Sequence, residues 1–563
     1  MQMRTQKVAL LILLLLTTAT LCIMAAVPPV SRDALTHHLL VPKLYLLHGG
    51  IYEIPQIVFS YYPMNLDLLY AAGMYMGNDI LPTYIHMLFG LLTALLIYRY
   101  LRRRYGSVWG LAGALFFLTL PVIIKLCTTT YVDLGVIFFV FASLLALLKW
   151  HDSGARLRWL ILAAAACGLA LGTKYTAVLD YFFLTILVPV LYSNMRREQR
   201  NNVKSAAGTR DAVKALGWMV VFAAIAFAVF SPWAIKNYIW TQNPVYPLAQ
   251  GFLNPGEHTA NTDVFGNQGE GYKLSPLTKR TVLYGENLGQ VLLVPIRVFL
   301  EGADDKPQYF DGRLNPALLI FSVMALLFIR GRTARYKMHD IVFFSYAALI
   351  VLTAWLTVDM RIRYICTCIA PLTVLTMTGA RELWTYLNER VALSKRVLRW
   401  GVPVVLAAAF LANYVYLYQQ FQKVEPLYYL SGKVTRDEYI QKFRPEYAAL
   451  TYMNTNIPAG SKIFAIFLGN RMYYSDHFLE MRSQRFFDYV QTSADAMELA
   501  SRLYHDGYMF FLFNTGLMNE FAKDFLDMDA LMRLDAFLRV DCERIFSRDG
   551  YSLYRLKVGG ENG

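Results

Sequence analysis

The sequence predicts a polytopic α-helical membrane protein that carries a soluble α/β domain at its C-terminus, and three observations predict it. The composition is 56% hydrophobic and 15% aromatic, with only 17% charged residues over 563 positions. That excludes a disordered chain, a collagen-like repeat and a coiled coil. Apolar stretches of about 20 residues recur along the first three quarters of the chain, the length a helix needs to cross a bilayer. Charge then divides the chain in two. Before Lys423 there are 37 Lys and Arg against 21 Asp and Glu, and from Lys423 onward 17 against 19. Basicity gathered in short loops between apolar spans is what the positive-inside rule produces, so a nucleic-acid-binding patch is not expected. The six cysteines (Cys22, Cys127, Cys167, Cys366, Cys368, Cys542) fall mostly in apolar runs without metal-ligand spacing, which argues against a disulfide framework.

Eleven spans are expected in order. The start MQMRTQK with apolar Val8 to Val27 has the outline of a signal peptide, but the run is longer than a usual h-region. An uncleaved first span with its N-terminus inside is therefore expected. The next spans are Ile80 to Tyr98, Val108 to Lys125, Val132 to Lys149, Trp159 to Leu179 and Tyr181 to Tyr192. Gly217 to Ile235, Asn315 to Ile329, Ile341 to Val358, Ile365 to Ala380 and Gly401 to Tyr418 complete the set. Every second loop under this assignment is basic. These loops hold Arg99, Arg102, Arg103 and Arg104; Lys149, Arg156 and Arg158; the set from Arg196 through Lys204 to Lys214; Arg330 to Lys337; and Arg381 to Arg399, including Lys395 and Arg396. The odd number of spans puts the chain after Gln419 outside the cytoplasm, on the periplasmic side in a Gram-negative bacterium.

Residues 1–422 thus form the membrane core, with a first outside loop over 28–79 and a long one over 236–314, and residues 423–563 form the outside domain. In that tail KIFAIFLG (462–469), YMFFLFN (508–514) and YSLYRLKV (551–558) have the short apolar or alternating pattern of strands. SADAMELASRLYHDG and MDALMRLDAFLRV between them have helical spacing with acidic starts, so strand and helix alternate as in a small α/β domain. IPAGSK and RDGYS supply turns. FLGNRMYY lacks the glycine spacing of a phosphate-binding loop, which gives a nucleotide site weak support.

Few polar residues stand where chemistry could use them. Asp33 lies just past the first span in an amphipathic segment expected along the membrane surface; as an isolated residue it could equally cap the helix after it. Asp133 marks the outer end of the fourth span, where a carboxylate is also favoured by the helix dipole. Lys174 lies in the otherwise apolar GLALGTKYTAVL, where a lysine is costly and is either functional or snorkelling from near a helix end. Arg361 and Arg363 in VDMRIRY could supply bidentate phosphate donors. His37 and His38 are adjacent and project differently on a helix, so a joint metal site is not expected. Tyr61, Tyr62 and Pro63 suit either an interfacial anchor or a sugar-stacking face.

These stretches resemble one family. R-D-A-L-x-H-H-L with P-K-x-Y-L and Y-Y-P is similar to the first periplasmic loop of bacterial GT-C superfamily glycosyltransferases, which include protein O-mannosyltransferases and lipid A aminoarabinose transferases. TTTYVDLGVIFF (128–139), GLALGTKYTAVL (168–179), SPWAIKNYIWTQNPVYPL (231–248) and RIRYICTCIAPL (361–372) resemble the same group in the same order. The resemblance implies a GT-C fold and an inverting transfer of a sugar from a polyprenyl-phosphate donor to a glycan, lipid or protein acceptor at the outer face of a bacterial inner membrane. It implies Asp33 as the catalytic base, with Asp133 as a second carboxylate that frames the acceptor or, with Asp33, holds a divalent cation. It further implies Lys174, Arg363, Arg361 and His38 at the donor phosphate, His37, Lys43 and Tyr62 along the substrate cavity, and the long loop as a lid. The alternative is a transporter or flippase of a lipid-linked sugar. Transporters show paired repeats and broken helices near mid-membrane. No repeat is found in this sequence, and the polar candidates gather at one membrane face.

Overall fold

The computed structural model describes residues 2–201, 209–253, 275–390 and 400–557. Lys204, Lys395, Arg396 and Arg399 of the basic loops, and residues 254–274 of the long loop, lie outside the described residues. Among the described residues eight helices are long and apolar enough to cross a membrane. They are Arg4–Ala25, Leu81–Tyr105, Asp133–Asp152, Ala177–Gln199, Arg210–Thr241, Ala334–Thr357, Ile362–Glu389 and Gly401–Val424. Ser107–Thr119 and Pro121–Cys127 form a further span bent by 69°, and Leu157–Leu171 and Ala317–Leu327 are shorter apolar helices. These occupy the eleven expected places.

Two expected spans change shape. The straight run from Val108 to Lys125 is broken at Leu120, whose extended backbone (φ −58°, ψ 134°) follows from the proline after it. The run from Trp159 to Leu179 stops as a helix at Leu171. Residues 172–176 turn, and the next helix starts at Ala177 with Asp180 in its first turn. Lys174 therefore stands in a turn between two helices rather than inside a span.

The described chain divides into two compact units. One comprises Met1–Ala26 and Tyr61–Pro426, the other Val27–Ser60 and Leu427–Gly563. The first part of the expected loop 28–79 thus folds with the C-terminal segment and not with the membrane core. Within that second unit the Tyr474 hydroxyl donates to Pro29 O at 2.8 Å, and the Arg444 guanidinium donates to Val30 O.

A five-stranded sheet organises the second unit, with β1 Lys462–Ile466, β2 Leu479–Glu480, β3 Tyr508–Asn514, β4 Cys542–Arg548 and β5 Tyr551–Leu556 in the order β2-β1-β3-β5-β4. β1 runs parallel to β2 and β3, while β5 is antiparallel to β3 and β4. Phe464, Phe486, Phe487, Phe511 and Phe537 are fully buried against the sheet. Asp549 and Gly550 both have positive φ (52° and 81°), the two-residue turn that an Asp-Gly pair favours between β4 and β5. The sequence reading missed β4. CERIFSR carries charges on an edge strand, where Arg555 pairs with Glu543 across the hairpin at 2.7 Å.

Candidate active site

Three residues from distant parts of the membrane unit meet at the start of helix Asp133–Asp152. Lys174 Nζ lies 2.8 Å from Asp133 Oδ1, and Arg363 Nη2 lies 3.0 Å from Asp133 Oδ2. The carboxylate is wholly buried, whereas the two cationic side chains keep 20% and 21% of their surface exposed. A buried carboxylate is costly unless paired, and here each oxygen has its own cation. Two cationic groups converge on this one carboxylate at a helix N-terminus, whose dipole also favours negative charge. The exposed sides of Lys174 and Arg363 are thereby arranged to receive an anion. The Arg363 guanidinium also stacks on Tyr131, 4.1 Å from the ring centroid.

The surrounding residues fix this geometry. Thr83 and Thr130 share a hydroxyl hydrogen bond of 2.7 Å. His86 accepts from the Leu134 amide at 2.9 Å through Nε2 and donates from Nδ1 to Thr129 O at 2.8 Å, a tautomer set by the amide. The Tyr70 hydroxyl donates to Tyr131 O. The loop before Asp133 is thus held from helix Leu81–Tyr105 and from helix Asn65–Tyr75.

The turn that carries Lys174 is held through Asn65, whose amide N–H donates to Gly172 O at 2.8 Å and whose Nδ2 donates to Leu169 O at 3.2 Å. Trp233 Nε1 in turn donates to Asn65 Oδ1 at 2.9 Å. A Cβ on residue 172 would stand 2.2 Å from Asn65 Nδ2, so only glycine allows this approach.

Tyr62 packs edge-on against Tyr175 with centroids 5.3 Å apart, beside Asn237 Nδ2, which donates to Tyr61 O and to the Tyr175 hydroxyl, each at 2.9 Å. Burial pushes the Tyr62 and Tyr175 phenols above their ordinary range, so both stay neutral donors. Arg361 stands apart from the Asp133 cluster, 39% exposed, with Asp311 at 3.9 Å.

The remaining candidates lie in the second unit. Asp33 immediately precedes the short π-helical turn Ala34–His38 and makes no side-chain capping bond there, so the helix-cap reading is not what the residue does. His38 is buried, and His37 stacks on Phe59 at 4.2 Å and shares a 2.8 Å hydrogen bond with Thr36 Oγ1. Lys43 is engaged within the second unit. Its ammonium donates to Tyr473 O and Ser475 O at 2.9 Å and to Asp476 Oδ1 at 3.3 Å, which directs all three donors into the C-terminal segment as a brace.

A divalent cation on Asp133 would compete with the two side-chain cations that this carboxylate already holds. Both Asp133 oxygens are already taken by cations, and among the described residues no group of three or more His, Cys, Asp or Glu side chains could hold a metal ion. Sequence reasoning missed Asn65, His86, Tyr131 and Asn237. The signals for three of them were present, since Tyr131 is the first residue of YVDLG, Asn237 lies inside SPWAIKNY, and an Asn at the start of an apolar helix is a polar group in need of partners.

Residues 63–236, which include Asp133 and Lys174, match the family model of dolichyl-phosphate-mannose-protein mannosyltransferases. No curated protein sequence matches the chain. Among solved structures, ArnT from Cupriavidus metallidurans bound to undecaprenyl phosphate is 13% identical with a TM-score of 0.56, the match covering 97% of both chains. Its apo state is 11% identical with a TM-score of 0.55 at the same coverage. An Archaeoglobus fulgidus oligosaccharyltransferase tethered with an acceptor peptide is 12% identical with a TM-score of 0.51, covering 90% of this chain and 69% of that one. The chain shares the GT-C fold of these solved structures, and residues 63–236 are similar to the mannosyltransferase family.

Proposed function

We propose that the protein moves one sugar from a polyprenyl-phosphate donor to an acceptor at the outer face of a bacterial inner membrane, with inversion at the anomeric carbon. The observation that carries the reading is the pair Lys174 and Arg363, two mostly covered cations bound to one buried carboxylate. A donor phosphodiester has one negative charge, and the departing polyprenyl phosphate gains a second. Two cationic side chains at the phosphate therefore stabilise the leaving group more than the bound donor, which is what accelerates transfer. Asp33 takes the proton of an acceptor hydroxyl or amine as its oxygen or nitrogen attacks the anomeric carbon. Asp133, with both oxygens committed, holds the two cations in register. The likeness to an ArnT bound to undecaprenyl phosphate supports a lipid-phosphate donor.

In the same reading the long loop covers the donor. Its described part carries the short helices Pro276–Tyr284 and Leu288–Leu292, and the buried Arg280 grips Glu286 through bonds of 2.7 and 2.8 Å.

Purified protein in detergent, where no bilayer separates two compartments, is expected to transfer labelled sugar from donor to acceptor; a flippase would leave the donor intact. Lys174→Ala and Arg363→Ala should each weaken binding of polyprenyl phosphate by roughly 10- to 100-fold, the loss of one hydrogen bond between charged groups. Unchanged affinity in both variants would remove the phosphate from this site. For the orientation, with the N-terminus inside and the tail outside, Asp529→Cys in an otherwise cysteine-free chain should react with an impermeant thiol reagent added from the periplasmic side; labelling only after the membrane is opened would reverse the topology.

A further inference from the structure

Asp180 is one of several buried acids in the membrane unit, and the reaction as proposed does not use it. It is 2% exposed and sits six residues after Lys174, in the first turn of helix Ala177–Gln199. Its Oδ1 accepts from two hydroxyls of different elements. One is Tyr346 on helix Ala334–Thr357, and the other is Thr367 at 2.9 Å. Thr367 belongs to the 3-10 segment Ile362–Cys368, four residues after Arg363 in the same segment. Among the described residues no cation pairs with Asp180. An acid inside a membrane span without a cationic partner is expensive, and a Leu or Thr would fill its place at less cost, so its retention calls for a use.

We infer that Asp180 is a positioning residue for the donor phosphate site. It joins the helix that follows Lys174 to the segment that carries Arg363. The spacing of the two cations is then set twice, by Asp133 between their charged ends and by Asp180 between the backbone elements that bear them. Two donors converging on one oxygen fix a direction as well as a distance, because the Tyr346 bond prevents Asp180 from following Thr367 if that segment shifts. Phosphate recognition by two cations depends on their separation, and small misplacements of groups that bind a reacting centre are costly. This inference rests on the reading of Lys174 and Arg363 as phosphate ligands.

The test uses the full-length protein in detergent with undecaprenyl phosphate as the probe, measuring its Kd, the donor KM and kcat, and the thermal midpoint for each variant. Asp180→Ala should weaken the probe about tenfold or more and raise donor KM in step. Asp180→Asn keeps a carbonyl oxygen for both hydroxyls and should restore the affinity to within about threefold of wild type, a rescue that general loss of packing would not give. Thr367→Val keeps the volume, severs only the bond to the Arg363 segment, and should reproduce most of the loss; it also decides the matter if Asp180→Ala does not fold. Folded Asp180→Ala and Thr367→Val proteins with wild-type Kd and KM, even with lowered thermal midpoints, would overturn the inference. If Lys174→Ala weakens the probe in that same series, the phosphate reading stands and only the role of Asp180 falls. If Lys174→Ala also binds normally, both fall together.

Discussion

Asp33→Asn is expected to lower turnover by about 10² to 10⁴, the usual contribution of a general base, while donor affinity and the thermal midpoint stay near wild type. The substitution preserves shape and one acceptor oxygen while removing the charge and with it the basicity. Because Asp33 makes no side-chain capping bond to the turn it precedes, its loss should not unravel that turn. The measurement is steady-state transfer with an authentic donor and acceptor, alongside equilibrium binding of undecaprenyl phosphate. A fall in kcat with unchanged Kd identifies a group that acts in the chemical step. Transfer at the wild-type rate would take Asp33 out of the mechanism.

Asp133→Ala is expected to behave differently, with a loss of stability of about 3 to 5 kcal/mol, the range for breaking a buried pair by removing one partner. The reason is specific to this arrangement. Without the shared carboxylate, Lys174 and Arg363 lose their common partner while staying close to one another, and Arg363 is further confined by its stack on Tyr131. The double variant Asp133→Ala/Lys174→Ala removes one of the two repelling charges and should be less destabilised than Asp133→Ala alone, a coupling read from a double-mutant cycle of thermal or denaturant unfolding. Additive losses would mean the three groups do not act as a unit. Asp133→Asn should weaken undecaprenyl phosphate together with turnover; a fall in turnover alone would make Asp133 a second base.

Much of the molecule was legible from local sequence because the relevant forces are local. A span is a length of apolar chain measured against the bilayer, and each of the eleven expected places holds an apolar helix or a bent pair. In the tail, β1, β3 and β5 were visible as apolar or alternating runs, and RDGY marked the turn before β5 because Asp-Gly suits positive φ at both positions. Helix Ser483–Thr492, helix Thr515–Phe525 and edge strand β4 were not seen, since their exposed faces are charged and their burial depends on a sheet that sequence alone does not show. Asp180 was assigned to a gap between two expected spans. Hydropathy gives no reason for a helix to stop at Leu171; the close contact of Gly172 with Asn65, more than 100 residues earlier in the chain, coincides with that stop.

By itself the sequence determined that this is a multi-pass membrane protein with a mixed α/β tail, and it singled out Asp133, Lys174 and Arg363 as polar residues in costly places. Only the tertiary structure decided that these three are partners. They are separated by 41 and 230 positions, and the pairing exists because helix packing brings one helix start, one interhelical turn and one 3-10 segment together. It also decided that residues 27–60 fold with the C-terminal segment and that Lys43 serves as a brace there. The physical reason is that the cost of burying a charge is a property of one residue and its neighbours in sequence, whereas the group that offsets the cost is chosen by whatever the fold sets beside it.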